Sequence, residues 1–209
     1  MMNQSHWENV YQNKPVNQVS WFQQNPKVSL ELIEHARLPK EANIIDVGSG
    51  ATRLISELVA LGFYNVTVLD ISRAALAKAK AQLKSLHRDV NTFEWLVGDI
   101  TQIDLDIEKY ALWHDRAVFH FLTEREQRQA YIRNLHSSLK KNGEFIVATF
   151  SLDGPEKCSG LPVVRYDVEG LVKTFGPSFE LLETKTESHQ TPFDTEQAFV
   201  YCRFKKIRS

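Results

Sequence analysis

Apolar and polar positions alternate along the chain between a helical and an extended period. From Pro26 to about Leu38 the apolar residues Val28, Leu30, Ile33 and Leu38 recur at helical spacing, and Pro26 suits a first helical turn. Pro39-Lys40 breaks that helix. Residues 43–47 then read as a short buried strand and Gly48-Ser49-Gly50 as a turn. Leu54, Ile55, Leu58, Val59 and Leu61 follow as a helical stripe that Gly62 can cap. A second strand spans 66–70, and Ser72 can cap a helix carrying Leu76, Ala79, Leu83 and Leu86 on one face. Residues 93–97 form a third strand ended by Gly98-Asp99, and 110–113 a weaker fourth. Thr123-Glu124-Arg125-Glu126 has a capping-box pattern and opens a helix to about Leu139, which Asn142-Gly143 stops. Residues 144–150 make a fifth strand. The last quarter holds a short helix over 167–175 and two strands, 179–186 and 197–204, about ten residues apart.

Strands alternating with helices call for a parallel sheet with right-handed crossovers. Two late strands joined directly pair antiparallel, because a parallel pair needs a longer crossover. The expected fold is therefore α/β: a doubly wound, Rossmann-like sheet, mostly parallel, with an antiparallel C-terminal hairpin. Such sheets bind ligands at the carboxyl ends of their strands. That rule selects residues 46–52, 70–72, 98–100, 113–120 and 150–154.

Composition narrows the function classes. The 209 residues suit a single domain over 1–209. Lys and Arg number 25 against 26 Asp and Glu, a formal net charge of -1, so no large basic face for nucleic acid is expected. Cys158 and Cys202 are too few for a disulfide framework and lack zinc spacing, which fits a reducing cytoplasm. The N-terminal residues lack the apolar stretch of a signal peptide, and no run has the length of a membrane span.

The turn after the first strand carries the most chemistry. Gly48 and Gly50 allow backbone to approach a ligand with no Cβ in the way, and amides opening the next helix favour an electron-rich group. A dinucleotide fingerprint wants a third glycine where Arg53 stands, which counts against a nicotinamide or flavin ligand. Asp70 ends the second strand and can accept both hydroxyls of a ribose; otherwise it caps the following helix. Asp99 can accept from an exocyclic adenine amine while Ile100 packs on the ring; otherwise it is a turn residue.

Asp46-x-Gly48-x-Gly50, Asp70 and Gly98-Asp99, each at the next strand end, resemble class I S-adenosylmethionine-dependent methyltransferases. The resemblance covers nearly the whole chain. It implies a seven-stranded sheet whose last strand is antiparallel and inserted between strands five and six. It implies S-adenosyl-L-methionine as cofactor, bound by Asp46, Gly48, Ser49 and Gly50 on its methionine part, Asp70 and Ile71 at the ribose, and Asp99 with Ile100 at adenine. The family often has a third glycine where this chain has Thr52. Trp7-x-x-x-Tyr11 and Val19-Ser20-Trp21-Phe22 resemble the small lysine methyltransferases of translation elongation factor 1A or citrate synthase. That implies that Trp7, Tyr11 and Trp21, within an aromatic segment 1–25, close over the cofactor as a lid; the alternative is that they staple the segment to the core. Asp115-Arg116-Ala117 departs from those enzymes, so their protein acceptors are not carried over.

Methyl transfer from a sulfonium needs alignment and exclusion of water, and a base only when the acceptor is protonated. Asp115 is the candidate to hold or deprotonate an acceptor amine, and Arg116 to bind the cofactor carboxylate or an acidic substrate; the alternative is an Asp-Arg pair at a helix start. His114 and His120 lie in the same tract. The long segment 151–166 is a candidate wall of the acceptor site. Cys158 has no local partner to activate it, and His189 is expected at an exposed hairpin tip with no role. Three function classes follow: a methyltransferase acting on a small molecule or a protein side chain, a nicotinamide oxidoreductase, and a cofactor-binding protein without catalysis. No metal is expected.

Overall fold

The structure, a computed structural model, describes residues 4–86 and 89–208. Its strands are β1 (Ile44–Val47), β2 (Val66–Asp70), β3 (Glu94–Val97), β4 (Tyr110–Arg116), β5 (Leu139–Phe150), β6 (Lys157–Cys158), β7 (Leu161–Pro162), β8 (Phe179–Gln190) and β9 (Glu196–Lys206). Its α-helices are α1 (Gln4–Asn13), α2 (Lys27–His35), α3 (Leu54–Ala60), α4 (Arg73–Ser85), α5 (Arg125–Ser138) and α6 (Val168–Phe175). Seven strands form one sheet in the order β3-β2-β1-β4-β5-β9-β8. The pairs from β3 through β5 are parallel, and β9 pairs antiparallel with both β5 and β8. The doubly wound fold with an inserted antiparallel strand is thus observed. The order reverses between β1 and β4, which opens the crevice where such sheets take ligands.

Each strand splits its side chains between two cores, as a period of two requires. Ile45, Val47, Trp113, Phe145 and Val147 face α5 and α6 together with Tyr131, Leu171 and Phe175. Ile44, Val68, Leu112, Ile146 and Ala148 face α2 and α3 together with Leu32, Ile33, Ile55 and Leu58. Ser72 caps α4 by accepting from Ala75 N at 3.1 Å, as its position suggested. Gly62 follows α3 with φ +89°, a conformation that glycine adopts without strain. Among the described residues no helix is long and apolar enough to cross a membrane.

Several boundaries differ from those expected from the sequence. The capping box opens one residue later, with Glu124 as N-cap and Gln127 bonding back to its amide at 3.2 Å. The helix then ends at Ser138, and Asn142, at φ 61°, lies in an irregular start of β5 rather than stopping a helix. The hairpin strands are longer, and only 191–195 connect them. β8 is the sheet edge, so its outward residues are polar and read as loop. His189 therefore sits inside β8, buried, with Nε2 2.8 Å from the Ser20 carbonyl oxygen, and not at an exposed tip.

Phe145 is fully buried, stacks on Phe204 at 4.7 Å and meets Phe175 and Phe179 at 4.7 and 4.9 Å. Phe145→Ala is expected to lower stability in denaturant by about 3–5 kcal/mol. A loss under about 1 kcal/mol would mean that this face of the sheet is not the tightly packed one.

Candidate functional site

The glycine turn is shaped by close packing. Gly48 and Gly50 both have positive φ, +63° and +59°. A Cβ on Gly48 would overlap Val118, and one on Gly50 would overlap the Tyr11 hydroxyl. Two backbone amides converge on the Asp70 carboxylate: Gly50 N donates to Oδ2 and Ser72 N to Oδ1, each at 2.7 Å. Burial pushes the Asp70 carboxyl up to about 6 even though both amides pull it down. Each carboxylate oxygen keeps a further lone pair for a ligand hydroxyl.

A first cavity opens beside this carboxylate. Val47, Leu69, Ile71, Ile100 and Val118 form its apolar walls, Asp70 and Arg116 its charged groups, and Trp7, Tyr11, Trp21, Phe121 and Cys158 also line it. The aromatic residues hold one another edge to face, with Trp7 5.6 Å from Trp21 and 5.0 Å from Phe121. Trp21 Nε1 donates to the Tyr11 hydroxyl at 3.1 Å. α1 is fastened across this end of the sheet by polar bonds. Glu8 accepts from Ser72 Oγ at 2.8 Å and Ala74 N at 3.2 Å, Gln4 donates to the Ile71 carbonyl at 3.1 Å, and Lys78 donates to the Lys14 carbonyl at 2.7 Å. The Ser72 hydroxyl foremost holds the Glu8 carboxyl below its usual value. His6 reaches Ser159 of the β6–β7 hairpin at 3.2 Å, so α1 spans from α4 to segment 151–166.

A second cavity adjoins the first and shares Trp21, Gly48 and Arg116 with it. Asp46, Ser49, Thr52, Arg53, Ser29 and His114 also line it. Asp46 Oδ2, Ser49 Oγ, Thr52 Oγ1 and Arg53 Nε are buried with no hydrogen-bond partner among the described residues, and Arg116 Nη2, also buried, forms an ion pair with Glu187 Oε2 at 3.6 Å. Native structures rarely leave so many buried polar atoms alone in one place. Together they offer one carboxylate oxygen, two hydroxyls and the Arg53 guanidinium N–H, with the Arg116 guanidinium beside them, a set that matches a ligand carrying both an ammonium and a carboxylate. Arg116 is pinned at the junction. Its Nε donates to Tyr201 Oη at 2.8 Å, its Nη1 to the Trp21 carbonyl at 3.1 Å, and its guanidinium lies 4.4 Å over Phe199.

Most of the residues singled out in the sequence meet here. Trp7, Tyr11, Trp21, Gly48, Asp70, Ile71, Ile100 and Arg116 line the first cavity; Asp46 and Ser49 line the second. Gly50 lies beneath Tyr11 and donates to Asp70. Asp99 lines neither cavity, and its Oδ1 accepts from Thr101 N at 2.9 Å and Thr101 Oγ1 at 2.7 Å. Asp115 also lines neither. It is fully buried and accepts from Val118 N at 2.9 Å, Phe119 N at 3.1 Å and Tyr131 Oη at 2.7 Å. Arg116 pairs with Tyr201, the Trp21 carbonyl and the Glu187 carboxylate rather than with Asp115, because neighbours in a strand point to opposite faces. β4 extends through Arg116, so His114 is a strand residue. Cys158 lines the first cavity, and burial pushes its thiol up to about 11, away from a nucleophilic thiolate. Desolvation likewise pushes His120 down to about 3, so its ring is neutral. Ser29 and Phe121 line the cavities and Glu8 fastens α1 beside them, and no local sequence signal marks any of the three. Among the described residues no cluster of His, Cys, Asp and Glu could hold a metal ion.

The Asp115 geometry makes the residue a brace for the turn that carries Val118 and Phe119 beside the first cavity. Asp115→Ala would leave two backbone amides and a tyrosine hydroxyl alone, and is expected to cost about 2–4 kcal/mol of stability. A loss below about 0.5 kcal/mol in denaturant unfolding would remove the bracing role.

A family model described as a methyltransferase domain matches residues 44–143. The human protein EEF1A lysine methyltransferase 2 is 20% identical over 191 residues, covering 85% of this chain and 74% of its own. Among solved structures, one from work on conversion of a disulfide bond into a thioacetal group during echinomycin biosynthesis aligns with TM-score 0.79 at 15% identity, covering 99% of this chain and 94% of that one. Burkholderia thailandensis 1,6-didemethyltoxoflavin-N1-methyltransferase, with 1,6-didemethyltoxoflavin and S-adenosylhomocysteine bound, aligns with TM-score 0.73 at 14% identity, covering 98% and 87%. With its strand order, its glycine turn and these likenesses, the chain has the fold of class I S-adenosylmethionine-dependent methyltransferases.

Proposed function

We propose that the protein binds S-adenosylmethionine and transfers its methyl group to a small molecule or a protein side chain. One observation supports this above the others: the two adjoining cavities differ in chemistry as the two halves of that cofactor do. Apolar walls with a buried carboxylate suit a nucleoside. Next door, Asp46 Oδ2, the Ser49 and Thr52 hydroxyls and Arg53 Nε, which lack hydrogen-bond partners among the described residues, together with the Arg116 guanidinium suit an α-amino acid. In this reading Asp70 holds the ribose hydroxyls, Ile71 and Ile100 flank the base, and Asp99 fixes the loop presenting Ile100. Asp46 meets the ammonium, while Arg53 and Arg116 meet the carboxylate. A nicotinamide dinucleotide carries a pyrophosphate instead, and the glycine that would make room for it is Arg53.

When bound, the cofactor supplies a sulfonium methyl that needs no further activation. The protein then has to orient the acceptor and exclude water. Trp7, Tyr11, Trp21 and Phe121 do the second, and their π faces favour a cationic ligand. We assign residues 1–25 as the lid and segment 151–166, whose Cys158 lines the first cavity, as the wall on the acceptor side. The human relative's name specifies a lysine acceptor; at 20% identity and with Asp115-Arg116-Ala117 in the central tract, that acceptor is not assigned to this chain.

Calorimetry is expected to give micromolar affinity for S-adenosylmethionine and S-adenosylhomocysteine, roughly 7–8 kcal/mol, with NAD far weaker. The reverse order would overturn the proposal. Incubation with labelled S-adenosylmethionine and cell extract separates an enzyme from a binding protein without catalysis: label should appear in protein or in small molecules, and binding with no transfer would favour the latter.

Asp70 gives the binding a pH dependence. Its folded value of about 6 lies above the ordinary 3.8, so its contribution to apo stability falls as pH rises between those two values. Ribose hydroxyls donate to the ionised form, so cofactor affinity moves the other way. S-adenosylhomocysteine should bind about tenfold more weakly at pH 5 than at pH 7, and Asp70→Asn should flatten that profile. Asp70→Ala should weaken binding about 100-fold at pH 7 and also lower apo melting, because the Gly50 and Ser72 amides lose their acceptor. An unaltered affinity would place the ribose elsewhere.

For the lid, Trp21→Ala should weaken cofactor binding by roughly 1–3 kcal/mol, and removal of residues 1–22 should leave a folded, less stable protein that no longer binds. Intact affinity alongside a large drop in melting temperature would make these rings core staples instead.

A further inference from the structure

We infer that His114, supported by Ser29, is a positioning residue for cofactor recognition: it fixes the Asp46 carboxylate so that one oxygen remains to receive the ammonium of the amino-acid tail. The inference rests on the methyltransferase reading above and goes beyond it, because neither His114 nor Ser29 is assigned a ligand contact.

The arrangement follows from the sheet. Asp46 and His114 are direct partners in the parallel register of β1 and β4, on the face toward α2. Ser29 lies in the first turn of α2. His114 Nδ1 is 2.7 Å from Asp46 Oδ1, and His114 Nε2 is 2.9 Å from Ser29 Oγ. All three residues are at most 3% exposed. A carboxylate oxygen accepts, so Nδ1 donates to Asp46 Oδ1, and the Ser29 hydroxyl, which can donate or accept, holds the opposite ring nitrogen. Asp46 thereby sets the proton on Nδ1, and Ser29 fixes the orientation in which the ring meets Oδ1 rather than Oδ2.

The other oxygen, Oδ2, is buried and has no partner among the described residues, and Asp46 lines the second cavity beside the two arginines. A buried carboxylate free to turn would bury both oxygens against whatever donors it found. With Oδ1 pinned, Oδ2 stays directed to a site where a cation completes the set. The competing account makes the chain Ser29–His114–Asp46 a clamp holding α2 to the sheet. A clamp has no means to distinguish a ligand with an amino group from one without it.

Binding titrations should compare S-adenosylhomocysteine, its deaminated analogue and 5′-methylthioadenosine on the full chain and on His114→Leu, His114→Asn and Ser29→Ala. The unaltered protein should prefer S-adenosylhomocysteine to the deaminated analogue by about tenfold or more, the scale of one charge-assisted bond. His114→Leu should bring that ratio to about one while 5′-methylthioadenosine binds within about twofold of the original. His114→Asn, whose amide can donate to Oδ1 in place of Nδ1, should restore most of the ratio. Ser29→Ala should give an intermediate ratio, and it decides the matter where His114→Leu does not fold. Equal losses for all three ligands, or an unchanged ratio in both His114→Leu and Ser29→Ala, would overturn the inference in favour of the clamp. If the unaltered protein binds S-adenosylhomocysteine without preferring it to the deaminated analogue, only this inference falls. If it does not bind S-adenosylhomocysteine at all, the methyltransferase reading falls with it.

Discussion

The Asp70 carboxylate ties together three elements that would otherwise meet only at their ends. Through Gly50 N it holds the glycine turn after β1, and through Ser72 N it holds the entry to α4. Ser72 in turn donates its hydroxyl to Glu8 and so carries α1. One buried group thus sets the floor of the first cavity and, two residues on, the anchor of its aromatic roof. Burial pushes that carboxyl up to about 6, which marks it as a group held in an environment where its charge is disfavoured. Two backbone amides reduce that penalty only partly, and further hydroxyl donors would reduce it more.

The site is built on the strand ends rather than on loops alone. Asp46 and His114 are neighbours in the β1–β4 register, and Arg116 ends β4 two residues further on. The sheet therefore fixes a carboxylate and a guanidinium on the same face, since residues two apart in a strand share one. Arg116 is locked by Tyr201 and the Trp21 carbonyl, so it links the edge hairpin, the N-terminal segment and both cavities. Asp115 points to the opposite face, where it organises the turn carrying Val118 against Gly48. Adjacent residues of one tract thereby divide into one that borders both cavities and one that shapes the wall of the first.

Much of this was legible in the chain. The switch between helical and extended periods gave the strands near their observed places, and the glycine turn with acidic residues at successive strand ends located the crevice. What escaped was set by contacts between segments distant in sequence. Nothing near Ser29 indicates that it meets His114, 85 residues away, nor that Glu8 meets Ser72, 64 residues away. Asp115 looked catalytic because the sequence shows its charge but not which face of β4 it takes. His189 looked like a loop residue because the polar alternation of an edge strand resembles a connection, although its ring is packed toward Ser20. In the sequence Arg53 shows only as an absent glycine, whereas in the structure its Nε, without a hydrogen-bond partner among the described residues, lies in the cavity that Asp46 also lines.

The central claim is that two chemically distinct cavities receive the two ends of one molecule. A crystal structure of the protein with S-adenosylhomocysteine tests it most directly. The account predicts ribose hydroxyls on Asp70, the amino group on Asp46 Oδ2, and the carboxylate within reach of Arg53 and Arg116. An amino-acid tail lying outside the second cavity, with Asp46 Oδ2 still unpartnered, would contradict it.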